Sequence, residues 1–351
     1  MPMWTPYLKS ADCIKKHPTP ILTKKDIPYD AELIFNAGVA KINGEYVMVF
    51  RNDYGTTHEE YENKIKPISN TSIGIAISKN GIDGWVVKDH PLMAFYMRGG
   101  ENANLLGTDG FYDLRRLYDP RITVIEDKIY LCLAADTNHG IRGCIAELSE
   151  DYESYKIISA SAPENRNMVL FPEKIGGYYV RLERPFPVYS RGRDRFDIWI
   201  SKSPDLKFWG ESELLLGVEN VPFANDKIGP AAPPIKTKYG WLTTFHAVDK
   251  ETYGRGQSEW EFWWNKRYTA GIMLLDLDDP SRVIGMSKLP LIAPELPFET
   301  DEGYRQHVIF PGGMILEDDG EVKIYYGASD TVECVATCSL EDLVALCTEE
   351  K

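Results

Sequence analysis

LYDPRITVIEDKIYLCLAAD, residues 117–136, sets a carboxylate, Asp119, at the mouth of an otherwise apolar strand and follows it with Pro120 and Arg121. Ile122 and Val124, then Ile129, Leu131 and Leu133, give two short strand patterns around the turn-like Glu126-Asp127-Lys128. The segment therefore reads as a β-hairpin with polar groups, Asp119 and Asp136, at both ends. Taken alone, Asp119 reads as a turn residue ahead of proline, a common use of Asp-Pro. Copies of the hairpin elsewhere in the chain change that reading.

The same pattern recurs in FNAGVAKINGEYVMVFRND (35–53), NMVLFPEKIGGYYVRLER (167–184), GPAAPPIKTKYGWLTTFHAVD (229–249) and VIFPGGMILEDDGEVKIYYGASD (308–330). In the first of these the Asn43-Gly44 pair is a strong hairpin signal. Each copy is followed by a weaker strand and polar turn: 71–85, 143–156, 196–209, 268–280 and 331–343. Repeats of about four strands at this spacing predict an all-β chain, a five-bladed β-propeller that occupies 1–351 as one domain. The N-terminal arm, with the strand-like PILTK (20–24), is expected to pair into the last blade. One short helix is expected at SLEDLVALC, with Ser339 as its N-cap. The polar and Gly-rich sequence between Asp53 and Leu117 reads as loops over one face.

A net charge of −14 argues against nucleic acid or anionic membranes as partners, since both call for a basic surface. The opening MPMWTPYLKSADCIKKHP has no apolar stretch of signal-peptide length, and no later run approaches a membrane span, so a cytoplasmic protein is expected. Cys13, Cys132, Cys144, Cys334, Cys338 and Cys347 lack CxxC spacing and neighbouring histidines, and read as reduced thiols. No metal and no cofactor is expected, and homo-oligomerisation is left open. SRGRDRF (190–196) reads as a solvated loop.

Superposing the hairpins places Asn36, Asp119, Arg166-Asn167, Gly229-Pro230 and 307–310 near the starts of successive inner strands. It places Arg51, Asp136, Arg184, His246 and Asp330 after the second strands. In an antiparallel hairpin these sets share one end, so they converge on one mouth of the channel. Salt-bridged blade ends would explain any one of them, but five equivalent polar positions favour a ligand site. Glycosidic cleavage normally takes two carboxylates, and only Asp119 stands out. With inorganic phosphate as nucleophile a second carboxylate would repel it, and the site would need cationic and neutral donors. Arg166, Lys174, His246 and Tyr268 are of the right types. Tyr118, Tyr268 and Trp260 offer faces for sugar rings, although core packing is the commoner use of an aromatic.

FNAGVAK, YDPRITVI, NMVLFPEKIGGYY, TFHAVD and YYGASDT together resemble the mannoside phosphorylases of glycoside hydrolase family 130, over nearly the whole chain. The resemblance implies a five-bladed propeller that converts a β-mannoside and phosphate into α-mannose 1-phosphate with inversion. It implies Asp119 as general acid, acting through a mannose hydroxyl. It further implies Arg166, Lys174, His246 and Tyr268 as phosphate ligands, with Asn36, Arg51, Tyr118 and Asp330 around the mannose. Two departures stand out: Glu183 where histidine is expected, and a long insertion before Asp119 on the acceptor side. A short β-1,2-linked substrate such as β-1,2-mannobiose is expected, because an enlarged loop would close that side. Mannosyl-glucose and β-1,4-mannooligosaccharides are the alternatives. Two other readings compete: a hydrolase with Glu183 as second carboxylate, and a non-catalytic carbohydrate-binding propeller, which would need no acid at the mouth.

Overall fold

The computed structural model describes residues 9–57, 59–60, 70–96, 114–187, 196–250 and 266–348. After β1 (Lys15–Lys16), blade 1 comprises β2 (Leu33–Ile42), β3 (Glu45–Tyr54), β4 (Asn70–Ser78), β5 (Val86–Val87) and β6 (Met93–Tyr96). Blade 2 comprises β7 (Leu114–Ile125), β8 (Lys128–Thr137), β9 (Gly140–Leu148) and β10 (Tyr155–Ala160). Blade 3 comprises β11 (Asn165–Leu170), β12 (Tyr179–Pro185), β13 (Ile198–Ser203) and β14 (Gly210–Leu216). Blade 4 comprises β15 (Lys227–Pro230), β16 (Ile235–Thr237), β17 (Gly240–Lys250), β18 (Lys266–Leu275) and β19 (Val283–Met286). Blade 5 comprises β20 (Ile309–Leu316), β21 (Glu321–Ala328) and β22 (Val332–Ser339), and β1 is its outer strand.

The hairpins turn where the sequence provides residues that accept positive φ. Asn43-Gly44, Glu126-Asp127 and Gly176-Gly177 all have positive φ at both central positions, the geometry that matches strand twist. Five buried apolar clusters hold the ring, one between each pair of neighbouring blades. Val47, Val49 and Ile73 of blade 1, for example, meet Leu117, Ile122 and Leu131 of blade 2, and Ile125 and Cys132 of blade 2 meet Met168 and Leu170 of blade 3. Because each blade is packed on both faces, β8 and β17 are buried along almost their whole length and lose the alternation of a half-exposed strand. Burying each such Val, Leu or Ile stabilises the fold by roughly 1.5–3 kcal/mol.

The N-terminal arm completes the last blade, but through β1, where Lys15 pairs with Thr337 and Lys16 with Ala336. PILTK does not form the strand. Leu22 makes a single bridge to Glu333, and Thr23 caps the short 3-10 turn Lys24–Asp26, accepting from Lys25 N. Lys16 Nζ bonds Glu299 at 2.7 Å in the one-turn helix α1 (Pro297–Thr300), whose buried carboxylate also accepts from the Tyr326 hydroxyl. Helix α2 (Leu340–Thr348) has Ser339 Oγ accepting from Asp342 N at 3.1 Å. It buries Leu343, Val344 and Cys347 over the seam between blades 4 and 5. All six cysteines are free, and five are buried. Among the described residues, no helix is long and apolar enough to cross a membrane.

Candidate active site

A single irregularity, repeated around the ring, aims the site. Between the pairs Phe35↔Arg51 and Gly38↔Val49, β2 advances three residues while β3 advances two. The same one-residue surplus lies between Tyr118 and Arg121 on β7, Arg166 and Val169 on β11, and Pro311 and Gly313 on β20. In blade 4 the inner strand breaks outright into β15 and β16. Such bulges bend a strand and re-aim its side chains. Asn36, Asp119 and Asn167 occupy them with φ of 55°, 52° and 58°, a left-handed conformation that Asn and Asp tolerate better than other non-glycine residues.

The bulges open onto a cavity of about 340 Å³ at the mouth of the channel, lined by Asn36, Arg51, Tyr118 and Asp119 from blades 1 and 2. Asp119 Oδ1 accepts from Asn36 Nδ2 at 3.1 Å and from Arg51 Nη1 at 2.9 Å. Among the described residues its Oδ2 has no donor. Burial alone would raise the Asp119 pKa, but Arg51, Arg121 and the bond from Asn36 outweigh it and hold the group below its ordinary value. The guanidinium of Arg51 also binds Asp53, and it lies over the rings of Phe35 and Tyr118. The Tyr118 hydroxyl donates to Asp136 at 2.9 Å and accepts from Arg166 at 3.4 Å. Burial pushes this phenol up to about 12, so it stays a neutral donor. On blade 5, Asp330 accepts from Arg305 at 2.9 Å, and burial raises its pKa against the pull of Arg305 and Arg51.

Blades 3 and 4 present the opposite chemistry: Arg166, Arg184, Lys227, His246 and Tyr268 line the same cavity. Arg184 Nη1 lies 3.0 Å from His246 Nε2, while Arg184 Nε and Nη2 and Arg166 Nε are buried without acceptors among the described residues. Burial and the neighbouring Arg166 lower Arg184 to about 9. Burial, Arg184 and Lys266 push Lys227 down to about 6, and burial with Arg184 and Lys227 keeps His246 neutral. Like charges are crowded here with few acids to balance them, so the cluster is poised for an anion.

Of the residues expected from the sequence, Asn36, Arg51, Tyr118, Asp119, Arg166, His246, Tyr268 and Asp330 come together in this cavity. Lys174 does not. It lies in the turn between β11 and β12, at the far end of the blade, where its ammonium pairs with Glu126 at 3.0 Å beside the Tyr179 ring. The lysines in the cavity are Lys227, at the start of the blade-4 inner strand, and Lys266, at the start of β18. Glu183 is also elsewhere: its Oε2 accepts from Asn165 at 2.7 Å and pairs with Arg181 at 2.8 Å, and it does not line the cavity. Trp260, most of SRGRDRF and the insertion at 97–113 lie outside the described residues.

Comparison with known proteins agrees with this geometry. The sequence profile of the β-1,4-mannooligosaccharide phosphorylase family matches residues 14–349. A 1,2-β-oligomannan phosphorylase of Thermoanaerobacter sp. is 31% identical over 92% of this chain and 95% of its own length. A β-1,2-mannobiose phosphorylase of the same organism is 32% identical over 92% of this chain and 95% of its own. The solved β-1,2-mannobiose phosphorylase of Listeria innocua, in complex with β-1,2-mannobiose, shares the fold with a TM-score of 0.75 at 24% identity, covering 95% of this chain and 98% of that one. With its five blades, Asp119 facing a crowd of cations and a profile match spanning the ring, the chain belongs to glycoside hydrolase family 130, the family of the β-1,4-mannooligosaccharide phosphorylases.

Proposed function

We propose that this protein is an inverting phosphorylase that cleaves a short β-1,2-linked mannoside, β-1,2-mannobiose or a small oligomer, to α-mannose 1-phosphate. The observation that carries the reading is the division of the cavity. Asp119 stands with Asn36, Arg51 and Tyr118 on blades 1 and 2, Asp330 of blade 5 is paired with Arg305, and donors without acceptors among the described residues stand opposite Asp119 on blades 3 and 4. Phosphate held by Arg166, Arg184, Lys227, His246 and Tyr268 attacks the anomeric carbon on one face of the mannose. On the other face the bond to the leaving oxygen breaks, and that oxygen takes a proton originating on Asp119. In the free site Asp119 is ionised; the negative charge of bound phosphate offsets the surrounding cations and lets the carboxylate take up the proton it delivers.

The hydrolytic reading loses Glu183, which is committed to Asn165 and Arg181 away from the cavity, and the other carboxylate of the cavity, Asp330, is paired with Arg305. The β-1,2 linkage rests on the two Thermoanaerobacter relatives, whose names carry it. Free and mostly buried thiols support action in the reducing cytoplasm. The test is a panel of β-mannobioses incubated with and without phosphate. Mannose 1-phosphate is expected from the β-1,2 isomer only when phosphate is present, and free mannose at a phosphate-independent rate would overturn the proposal.

A further inference from the structure

The bulges that aim Asn36 and Asp119 come at a cost: they interrupt the strand ladder in a part of the channel closed to water, where backbone carbonyls still need donors. Arg121, next but one to Asp119, is 3% exposed and, among the described residues, makes no hydrogen bond to a carboxylate. Its Nε donates to Ala231 O at 2.6 Å, in the break of the blade-4 inner strand. Its Nη1 donates to Pro120 O at 2.9 Å and to Asn36 O at 3.3 Å, in the bulges of blades 2 and 1. Its Nη2 donates to Pro311 O at 3.3 Å, at the bulge of blade 5. One planar fork thus reaches carbonyls at the interruptions of four blades, a span that the single ammonium of lysine cannot cover.

The pairing on Nη1 is the informative one. The two bulges whose carbonyls meet on that nitrogen are those whose side chains meet above it, Asn36 Nδ2 on Asp119 Oδ1 at 3.1 Å. Close approach of the blades is built in: a Cβ at Gly38 would lie 2.9 Å from Pro120 O, and one at Gly312 would lie 1.9 Å from Ala37 O. We infer that Arg121 is a positioning residue for the reaction, which gathers the bulge carbonyls and so holds the acid of blade 2 in register with Asn36 and with the cation cluster across the channel. The charged groups around this acid are Arg51 on β3, Arg121 itself, Arg166 on β11, Arg184 on β12 and Asp330 beyond β21. Of these, Arg121 is the one whose hydrogen bonds run to the backbone of the bulges.

The inference rests on the phosphorolytic reading, and wild-type protein is the control that separates the two. If wild type makes no mannose 1-phosphate, that reading fails first. Given active wild type, Arg121→Lys, which keeps the charge and loses the fork, and Arg121→Met are compared by steady-state kinetics with β-1,2-mannobiose, and Arg121→Lys is combined with Asp119→Asn. Arg121→Lys is expected to lower kcat about 100-fold, the scale of an ångström-sized misplacement, while the KM for phosphate stays within about threefold. The double variant should turn over within about threefold of Asp119→Asn alone, because a residue acting through Asp119 has nothing left to position. Wild-type-like kcat in Arg121→Lys overturns the inference. Losses that simply multiply in the double variant, a phosphate KM that rises in step with the fall in kcat, or failure of both single variants to fold would do the same, each marking a role in general stability.

Discussion

Nη1 of Arg184 lies 3.0 Å from Nε2 of His246, so the imidazole accepts there and carries its proton on Nδ1. The ring is fully buried and kept neutral, which makes it a donor whose orientation is set by the arginine beside it. Charge-assisted hydrogen bonds are worth roughly 1.5–3 kcal/mol each, so losing one weakens phosphate use about tenfold to a hundredfold. His246→Ala and Arg166→Ala should therefore raise the KM for phosphate by that factor, with a smaller effect on the KM for the mannoside. Initial rates over a phosphate series at saturating mannoside check this, and equal weakening toward both substrates would refute it.

Burial, Arg184 and Lys266 push Lys227 down to about 6. A bound phosphate adds negative charge beside it and raises that value, so between the two pKa values binding takes up a proton. Phosphate affinity should fall as pH rises through the window above about 6. Calorimetry at about pH 8, where phosphate is already dianionic, in buffers of different ionisation enthalpy should show net proton uptake. Lys227→Met should take up less, and Lys227→Met combined with Asp119→Asn should take up none. Uptake undiminished in Lys227→Met would assign the proton to another group.

Asp119→Asn keeps a side chain that still fits the left-handed bulge and can still accept from Asn36, so the fold and melting temperature should change little. Turnover should drop by several powers of ten, because the carboxamide has no proton to give. Near-normal activity would reduce Asp119 to a bulge residue.

Glu183→Gln separates structure from chemistry. The buried Arg181 loses its ionic partner, and a cost of about 1–3 kcal/mol should appear as a lower melting temperature. Well below that temperature the phosphorolysis rate should remain near wild type, since Glu183 does not line the cavity. A large kinetic defect without destabilisation would restore Glu183 as a catalytic candidate.

The propeller was legible because its hairpins are written with turn residues whose backbone needs are visible in the sequence, Asn43-Gly44 and Gly176-Gly177 above all. Most of the site followed once the strand starts were superposed. Lys174 and Lys227 show where that ran out: a cation in a turn and a cation at a strand start have the same composition. Only the direction of the strand separates the mouth of the channel from the opposite end of the blade, roughly 20 Å away at about 3.3 Å per residue. The bulges were hidden for a related reason. Strands buried on both faces have lost the period-two alternation against which one surplus residue would show, and the prolines of GPAAPP masked the broken inner strand of blade 4.

The outer strand of the last blade has a consequence for how the chain is made. Lys15 pairs with Thr337, so the ring is sealed by residues 322 positions apart (337 − 15), and a nascent chain cannot close it until β22 has left the ribosome. Contacts of such sequence separation slow folding, because the entropy of bringing the ends together is lost before any pairing offsets it. A chain interrupted before β22 would also expose β21 as an open edge, a template for pairing with other chains. Synthesis of this propeller therefore ends with an interval in which the finished blades wait for their first and last strands to meet.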